Sequence, residues 1–342
     1  MNYCQSYLSP EDIDIAISLL RSGGTITRGR FTKRVEDAIG EKYNGKCVLL
    51  SSGTAALHSA ISVIGGFGQT VLSPTLTFSA VANAALLSGC RIKLIDVDPV
   101  RLHSNTPNGR GNVFVPMDYA GLPWRGNVPH ITIRDAAHSF GAKYESYTHA
   151  ITFSFHPAKH ITGGEGGAVV VFDTDTPELL RRFRNNGLDE NHLYTTAGLN
   201  YHIDEISAAI LWSQYQRIDQ IVRRRKQIAN YYLSHWEHEP RLILPEDRED
   251  HVWHIFVLRV ANRDAFREYL SRVDIGTQIH YRPLHLQPTL KKVPRQESLA
   301  VSETAWNNMV TIPLYPTMTD EQVEYVINKV DEALNVTAAP TA

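Results

Sequence analysis

The stretch AITFSFHPAKHITGGEGGAVVVF (residues 150–172) carries a lysine between two short apolar runs. The runs 150–155 and 167–172 are rich in β-branched and aromatic residues, so they predict two strands. Lys159 follows the end of the first run and precedes a glycine-rich turn. Because most lysines are solvated surface charges, this position needs further support before any chemistry is assigned to it.

Five more apolar runs precede this stretch and alternate with helical or glycine-rich segments. This alternation predicts an α/β fold with a large, mostly parallel sheet covered on both faces by helices. Ligands of such sheets bind at the carboxyl ends of the strands, where Lys159 is expected to lie. The five runs are residues 46–50, 69–74, 91–98, 112–116 and 130–135.

The pattern changes near residue 203. Residues 203–235 have a strongly helical pattern, and the prolines and charges of 237–250 predict a connection to a second unit. We therefore expect a large domain over 1–236 and a smaller C-terminal α/β domain over 237–342. The second domain is predicted to contain a strand in 251–260 and helices near 264–273 and 319–335.

The composition is that of a globular protein, with 342 residues, 43% of them hydrophobic, and a formal net charge of -2. A net charge this close to zero gives no strong reason to expect nucleic acid as a partner, since a nucleic-acid-binding protein has a basic face. The basic runs 181–184 and 223–226 are interpreted as solvated helix faces. Three widely spaced cysteines favour neither a disulfide framework nor a metal site, and Cys47 and Cys90 are expected in the core.

The N-terminal segment is acidic where a signal peptide would be basic. Its SPED stretch (9–12) predicts a helix start with Ser9 as the N-cap. No apolar run approaches the ~20 residues that a membrane span requires. We therefore expect a cytoplasmic protein that has no membrane partner.

The segment SSGTAAL (51–57) places Gly53 and Thr54 at a helix start directly after a predicted strand. Free N–H groups and the helix dipole make such a turn a good phosphate site. A plain N-cap by Ser52 or Thr54 explains the same turn equally well without a phosphate.

Three further residues lie at predicted strand ends. Asp135 lies at the end of an otherwise apolar strand, where a buried acid needs a cationic partner unless it caps its own turn. Phe78 could provide a flat face, although core packing is usual for a lone aromatic residue. Ser154 could hydrogen-bond an anion, and a desolvated Lys159 could react with an aldehyde. An amine, a phosphate site, a carboxylate and a flat face together predict pyridoxal phosphate (PLP) as the cofactor.

The sequence resembles the DegT/DnrJ/EryC1/StrS family of PLP-dependent sugar aminotransferases over nearly its whole length. This resemblance implies fold type I of the PLP-dependent transferases and a homodimer with shared active sites. The similar stretches are SSGTAALHSA (51–60), SPTLTFSAVANAALLSGC (73–90), RDAAHSFGA (134–142), FSFHPAKHITGGEGG (153–167), LNYHIDEISAAIL (199–211) and GTQIHYRPLHLQP (276–288).

The resemblance also implies a role for each site residue. Lys159 would be the catalytic lysine that bonds to the cofactor, and Asp135 would pair with the pyridine nitrogen. Phe78 would stack on the ring, and His138 would lie near the ring hydroxyl. The residues that hold the phosphate would be Gly53, Thr54 and Ser154, together with Asn200 of the neighbouring subunit.

The substrate is indicated by MDYAG (117–121) and HYRPLHLQP (280–288). Both resemble the branch that aminates C4 of UDP-linked 4-keto-6-deoxy-N-acetylhexosamines, as in pseudaminic acid synthesis. In that branch Tyr3, His280 and Tyr281 would contact the sugar nucleotide. The second stretch is almost equally well explained as a proline-stiffened connection.

Lys159 favours transamination, because a dehydratase branch of the family has histidine in its place. L-glutamate is the family's usual amino donor. Two departures concern the substrate pocket: Asn186 stands where relatives often have histidine, and the segment between Asp98 and Asn112 is short. The alternatives are a PLP-dependent nucleotide-sugar dehydratase or isomerase, and a catalytically inactive regulatory paralogue.

Overall fold

A seven-stranded sheet forms the centre of the larger part of the molecule. The computed structural model describes residues 1–105, 107, 113–126, 131–144 and 148–337. The strands of this sheet are β1 (Lys46–Leu50), β2 (Thr70–Pro74), β3 (Arg91–Ile95), β4 (Val113–Phe114), β5 (Ile131–Asp135), β6 (Ala150–Ser154) and β7 (Gly167–Val171).

The strand order is β1-β7-β6-β5-β4-β2-β3. All neighbouring strands from β6 to β3 are parallel, and β7 runs antiparallel to both β6 and β1. The prediction of a mostly parallel sheet is therefore confirmed. Two predicted strands are shorter than expected, since β3 ends at Ile95 and β4 has two residues. Residues 112 and 130, at the predicted starts of β4 and β5, lie outside the described residues.

The direction of β7 follows from the glycine-rich turn after Lys159. Gly164 and Gly166 have φ angles of 90° and 155°, which residues with a Cβ rarely adopt. The turn sends the chain back so that Gly167 pairs with Ser154. A Cβ on Gly167 would lie 2.1 Å from the Ser52 carbonyl oxygen, so only glycine lets the segment after β1 approach β7 this closely.

Ten α-helices of the described residues pack around the sheets. The first begins with a capping box, in which the Ser9 side chain accepts from the Asp12 N–H and Asp12 accepts from the Ser9 N–H. This confirms the predicted N-cap. The helices are α1 (Pro10–Arg21), α2 (Arg30–Lys42), α3 (Gly53–Ala60), α4 (Ala80–Leu87), α5 (Thr176–Arg184), α6 (Glu205–Tyr215), α7 (Ile218–Trp236), α8 (Arg263–Arg272), α9 (Ala300–Asn308) and α10 (Asp320–Thr337).

The segment 203–235, predicted to be strongly helical, forms two helices, α6 and α7. Beside the break, Gln214 and Arg217 both donate to the buried carboxylate of Asp12, each at 2.6 Å. This tertiary contact joins residues about 200 positions apart in the chain, so the local periodicity of the segment does not contain it.

A second, antiparallel sheet contains β8 (Leu242–Ile243), β9 (Phe256–Val260) and β10 (Met309–Ile312), in the order β10-β9-β8. Its core includes Tyr232 and Trp236 from the second half of α7. The predicted strand over 251–260 begins only at Phe256. The residues before it pack instead on the turn at 119–121, where the N–H groups of Val252 and His254 bond to backbone carbonyls.

Two arginines of the basic runs are buried. Arg184 donates to Glu36 Oε1 at 2.7 Å and to the Leu49 carbonyl at 2.6 Å. Arg225 is 2% exposed and donates to three backbone carbonyls. The interpretation of both runs as solvated faces is wrong at these positions, because distant backbone acceptors bind the guanidinium groups. Cys47 and Cys90 are buried, as predicted.

Within the described part of the chain, no helix combines the length and the apolar character that crossing a bilayer demands.

Buried histidines predict a loss of stability in acid. Burial lowers the pKa of His103 to about 3, of His251 to about 4 and of His280 to about 3. As the pH falls below about 6.5, histidines of the unfolded chain gain protons before these three do. Each should therefore cost up to about 1.4 kcal/mol of unfolding free energy per pH unit until its folded pKa is reached.

Urea unfolding at pH 7.5, 6.5 and 5.5 measures this dependence. The slope of the unfolding free energy against pH, which counts the protons taken up on unfolding, should decrease by about one proton in His103→Gln. In this variant the amide can still donate to the Leu122 carbonyl. His238→Gln, at an exposed position, is the matched control. Equal slopes for the wild type and His103→Gln would contradict the explanation.

Candidate functional site

A cavity of about 560 Å³ lies at the carboxyl ends of the parallel strands. It is bordered by residues that directly follow β1, β2, β4, β5 and β6. All of the predicted site residues except Asn200 line this cavity. The order of strands in the sheet therefore brings together side chains that are far apart in the sequence.

Lys159 and Asp135 face the cavity from neighbouring parts of the sheet edge. Lys159 lies in the loop after β6, and its amine makes no hydrogen bond with the described residues. Burial lowers the pKa of this amine, which the charge of Asp135 partly offsets. Burial likewise raises the pKa of Asp135, against a hydrogen bond from the Ala137 N–H and the charge of Lys159. The pair provides an amine that can act unprotonated and a carboxylate that favours a cationic partner.

The turn from β1 to α3 shows both predicted features. Ser52 is the N-cap and its hydroxyl accepts from the Ala55 N–H at 3.1 Å. The N–H groups of Gly53 and Thr54 have no acceptor among the described residues. A Cβ on Gly53 would lie 2.6 Å from Ser154 Cβ and 2.9 Å from its Oγ, so glycine keeps an open cradle here. The N-cap and the anion site are thus compatible.

Aromatic rings form one wall of the cavity. Phe78 is 55% exposed, so the core packing that is usual for a lone aromatic does not describe it. Its ring centroid lies 5.7 Å from that of Tyr281. The row continues through His280 to Tyr3, with centroid distances of 4.9 Å and 5.4 Å. In HYRPLHLQP, His280 and Tyr281 line the cavity, whereas Leu284 is buried in the core.

His138 is 1% exposed and is hydrogen-bonded through Nε2 to the Tyr281 hydroxyl at 2.9 Å. Burial and the nearby Lys159 hold its pKa well below the usual value, so the ring is neutral. Its buried Nδ1 atom has no partner among the described residues. A polar atom left free in this way marks a place for a ligand or an ordered water.

The sequence analysis missed His254, which also lines the cavity. Its ring centroid lies 4.2 Å from that of His138. The close packing depends on Gly121 of MDYAG, where φ is 99° and a Cβ would lie 2.6 Å from the backbone nitrogen of His254. The sequence signal for it is a pair of histidines in the apolar run HVWHIF (251–256), a pattern that otherwise predicts only a strand.

Asn200 is exposed and lies outside the cavity, in a backbone bridge with Asn185. Its predicted contact with the neighbouring subunit stays a prediction. Asn186 stands where relatives often have histidine. It lies in the same arm, formed by residues 185–200, with a φ of 57°. The short segment between Asp98 and Asn112 lies partly outside the described residues.

Residues 7–106 and 129–331 match the sequence profile of the DegT/DnrJ/EryC1/StrS aminotransferase family. The chain belongs to this family. Solved structures similar to this aminotransferase include DesV of S. venezuelae, at 28% identity and a TM-score of 0.86 over 93% of each chain. At lower identity, the fold is shared with Helicobacter pylori PseC, an aminotransferase of pseudaminic acid biosynthesis (22%, TM-score 0.90, 98% of this chain and 99% of that one). The fold is also shared with the PLP form of Spr1654 from Streptococcus pneumoniae, at 21% identity and a TM-score of 0.90 over 99% of this chain and 100% of that one.

Membership of the family confirms the predicted fold class and the prediction of a transaminase that uses PLP. The cavity of this aminotransferase fits the cofactor. The cradle at Gly53, the two free N–H groups, the free amine of Lys159 and the unpartnered His138 Nδ1 are the groups that a phosphorylated pyridine aldehyde can use.

The Gly53 contact predicts a cost for any side chain at this position. Gly53→Ala should lower the free energy of unfolding by about 1–3 kcal/mol, because its Cβ would overlap Ser154. The double variant Gly53→Ala, Ser154→Gly removes the overlapping atoms and should recover much of the loss. Urea unfolding of both variants and of Ser154→Gly alone measures the coupling. Additive effects of the two substitutions would contradict the close contact.

Proposed function

We propose that this aminotransferase transfers the amino group of L-glutamate to a keto group, at C4, of a nucleotide-linked deoxy sugar. The observation that carries the proposal is the placement of Lys159, Asp135 and the free N–H groups of α3 around one cavity. An amine, a carboxylate and a phosphate site are the groups that PLP chemistry requires from the protein.

The proposed cofactor contacts follow from the positions of the side chains. Asp135 would keep the pyridine nitrogen protonated, since a buried carboxylate without a cationic partner is costly. Phe78 offers an exposed face to the ring, and His138 a neutral imidazole to its hydroxyl. The phosphate would be held by Gly53, Thr54 and Ser154. When bound, PLP supplies an electron sink for the carbanion at the reacting carbon.

Lys159 is proposed as the residue that moves protons. Its lowered pKa makes the unprotonated amine available, so Nζ can take the proton from Cα of the amino donor. Lys159 would deliver that proton to the former aldehyde carbon of the cofactor, and hydrolysis by water would release the oxo acid while the amino group stays on the cofactor. This completes the first half-reaction. The second half-reaction runs the same steps in reverse with the keto sugar, and Lys159 again acts as base and acid.

The sugar substrate is supported by the resemblance of MDYAG and HYRPLHLQP to the C4-aminating branch. Tyr3, His280 and Tyr281 line the same cavity as Lys159, which is where contacts to the sugar nucleotide would be needed. The aromatic rings and hydroxyls of this wall suit a sugar, which presents both apolar and hydroxyl faces.

A homodimer is proposed from the exposed apolar residues of two elements. Ile13, Ile17 and Leu20 form a stripe on one face of α1. The arm at 185–200 exposes Leu193 and Tyr194, which are 61% and 77% accessible. This arm also carries Asn200, whose predicted role requires a second subunit.

Absorption spectroscopy of the purified protein tests the proposal. A yellow enzyme should lose its colour when L-glutamate is added, and a keto-sugar nucleotide should restore it. A yellow colour that does not change with glutamate would contradict this donor and favour the dehydratase alternative. A colourless protein that cannot be reconstituted with PLP would favour the inactive paralogue.

Lys159→Ala should lower the rate of the glutamate half-reaction by at least about 10²-fold, because the proton at Cα loses its acceptor. Stopped-flow absorbance with L-glutamate measures this rate. Lys93→Ala, at an exposed position in β3, is the matched control. A Lys159→Ala protein that reacts at the wild-type rate would defeat the assignment.

Asp135→Asn retains the shape of the side chain and removes its charge. The variant should still bind PLP but react with L-glutamate about 10²-fold more slowly, since the pyridine nitrogen loses its anionic partner. Cofactor content and the half-reaction rate are measured on the same sample. An unchanged rate at full cofactor content would show that Asp135 has no electrostatic role.

A further inference from the structure

A second cavity, of about 250 Å³, adjoins the loop that carries Lys159. Lys159 lines both cavities, and its neighbours divide between them. His156 and Ala158 line the first cavity, whereas Pro157 and His160 line the second. The volume corresponds to roughly eight water molecules at about 30 Å³ each, which is enough for a small organic anion.

Three arginines from the α6–α7 region line the second cavity. Arg217 is paired with Asp12 at 2.6 Å, and Arg224 with Asp320 at 2.8 Å. Among the described residues, Arg225 has no carboxylate within ion-pair distance. Arg225, which lacks a carboxylate partner, is also the most deeply buried of the three arginines, with 2% of its surface exposed.

The hydrogen bonds of Arg225 are confined to one nitrogen. Nη1 donates to the carbonyls of Trp253, His254 and Leu314 at 3.0–3.2 Å. Nε is buried without a partner, and Nη2 makes no hydrogen bond with the described residues. A buried guanidinium without a counter-ion is costly, so a site beside it favours an anion. Planar carboxylates match the fork of N–H donors.

The first cavity lacks groups of this kind. Lys159 is its only lysine or arginine among the described lining residues. An amino acid donor brings at least one carboxylate, and glutamate brings two. The second cavity, which Lys159 also lines, is bordered by arginines, and the Nε atoms of Arg217 and Arg225 there have no partner among the described residues.

We propose that the second cavity is a carboxylate subsite in which Arg225 binds a small organic acid of the class of the amino donor and its oxo-acid product. The identification of the bound acid as the amino donor or its oxo-acid product rests on the proposed function. The binding itself does not, because a carboxylate without an amino or keto group should occupy the same site.

Isothermal titration of the purified full-length protein with glutarate tests the subsite. Glutarate cannot react, so its binding is independent of catalysis. Gln220 is exposed and lines the cavity, so Gln220→Glu adds a negative charge there and should weaken binding about tenfold. Gln216→Glu adds the same charge at an exposed position that does not line the cavity, and should leave the affinity within about twofold of the wild type.

Arg224→Gln removes a cation from the half-buried rim without touching Arg225, and should weaken glutarate several-fold. Absence of glutarate binding, or equal loss in Gln220→Glu and Gln216→Glu, would overturn the proposal. Chloride that displaces glutarate at equal concentration would also overturn it, because the site would then be a general anion site. The spectral response to L-glutamate tests the proposed function separately, so the two can fail independently.

Discussion

The site depends on the close contact between the start of α3, the end of β6 and the start of β7. Two glycines make this contact possible, since a Cβ on Gly53 would overlap Ser154 and a Cβ on Gly167 would overlap the Ser52 carbonyl. The contact brings a helix N-terminus with free N–H groups next to the strand that leads to Lys159.

Electrostatics in the interior is governed by burial. Four histidines close to Lys159 are kept neutral by desolvation, and the positive charges of Lys159 and Arg225 act in the same direction. For Asp135, burial acts in the opposite direction and raises the pKa of the carboxyl group. The result is a region in which charge is concentrated on few groups. Each of these groups then interacts strongly with a ligand, because little water is present to screen it.

Strand-end residues were predictable because parallel strands bring their carboxyl ends to one edge. Asp135 ends one apolar run, and Gly53 and Lys159 lie shortly after the ends of two others. A parallel sheet therefore predicts that the three residues meet at one edge, as they do in the cavity. His254 was not predictable in this way. It reaches the cavity only because Gly121 lets a segment of the second unit pack on the turn beside His138. Contacts between segments so distant in the chain leave no local pattern.

The sequence by itself determined the α/β fold class and, through the residues at strand ends, the cofactor chemistry, because periodicity and residue type are local properties. The roles of His138, Tyr3, His280 and Tyr281 were predicted only from the resemblance to the family. Only the tertiary structure decided which charges are buried. Arg184 and Arg225 look like other helix arginines in the sequence, yet carbonyls and carboxylates from distant segments bury them. The break between α6 and α7 likewise lies at contacts between distant segments, those of Gln214 and Arg217 with Asp12. Burial is a property of the whole packed chain, and it is burial that turns an ordinary side chain into one with unusual chemistry.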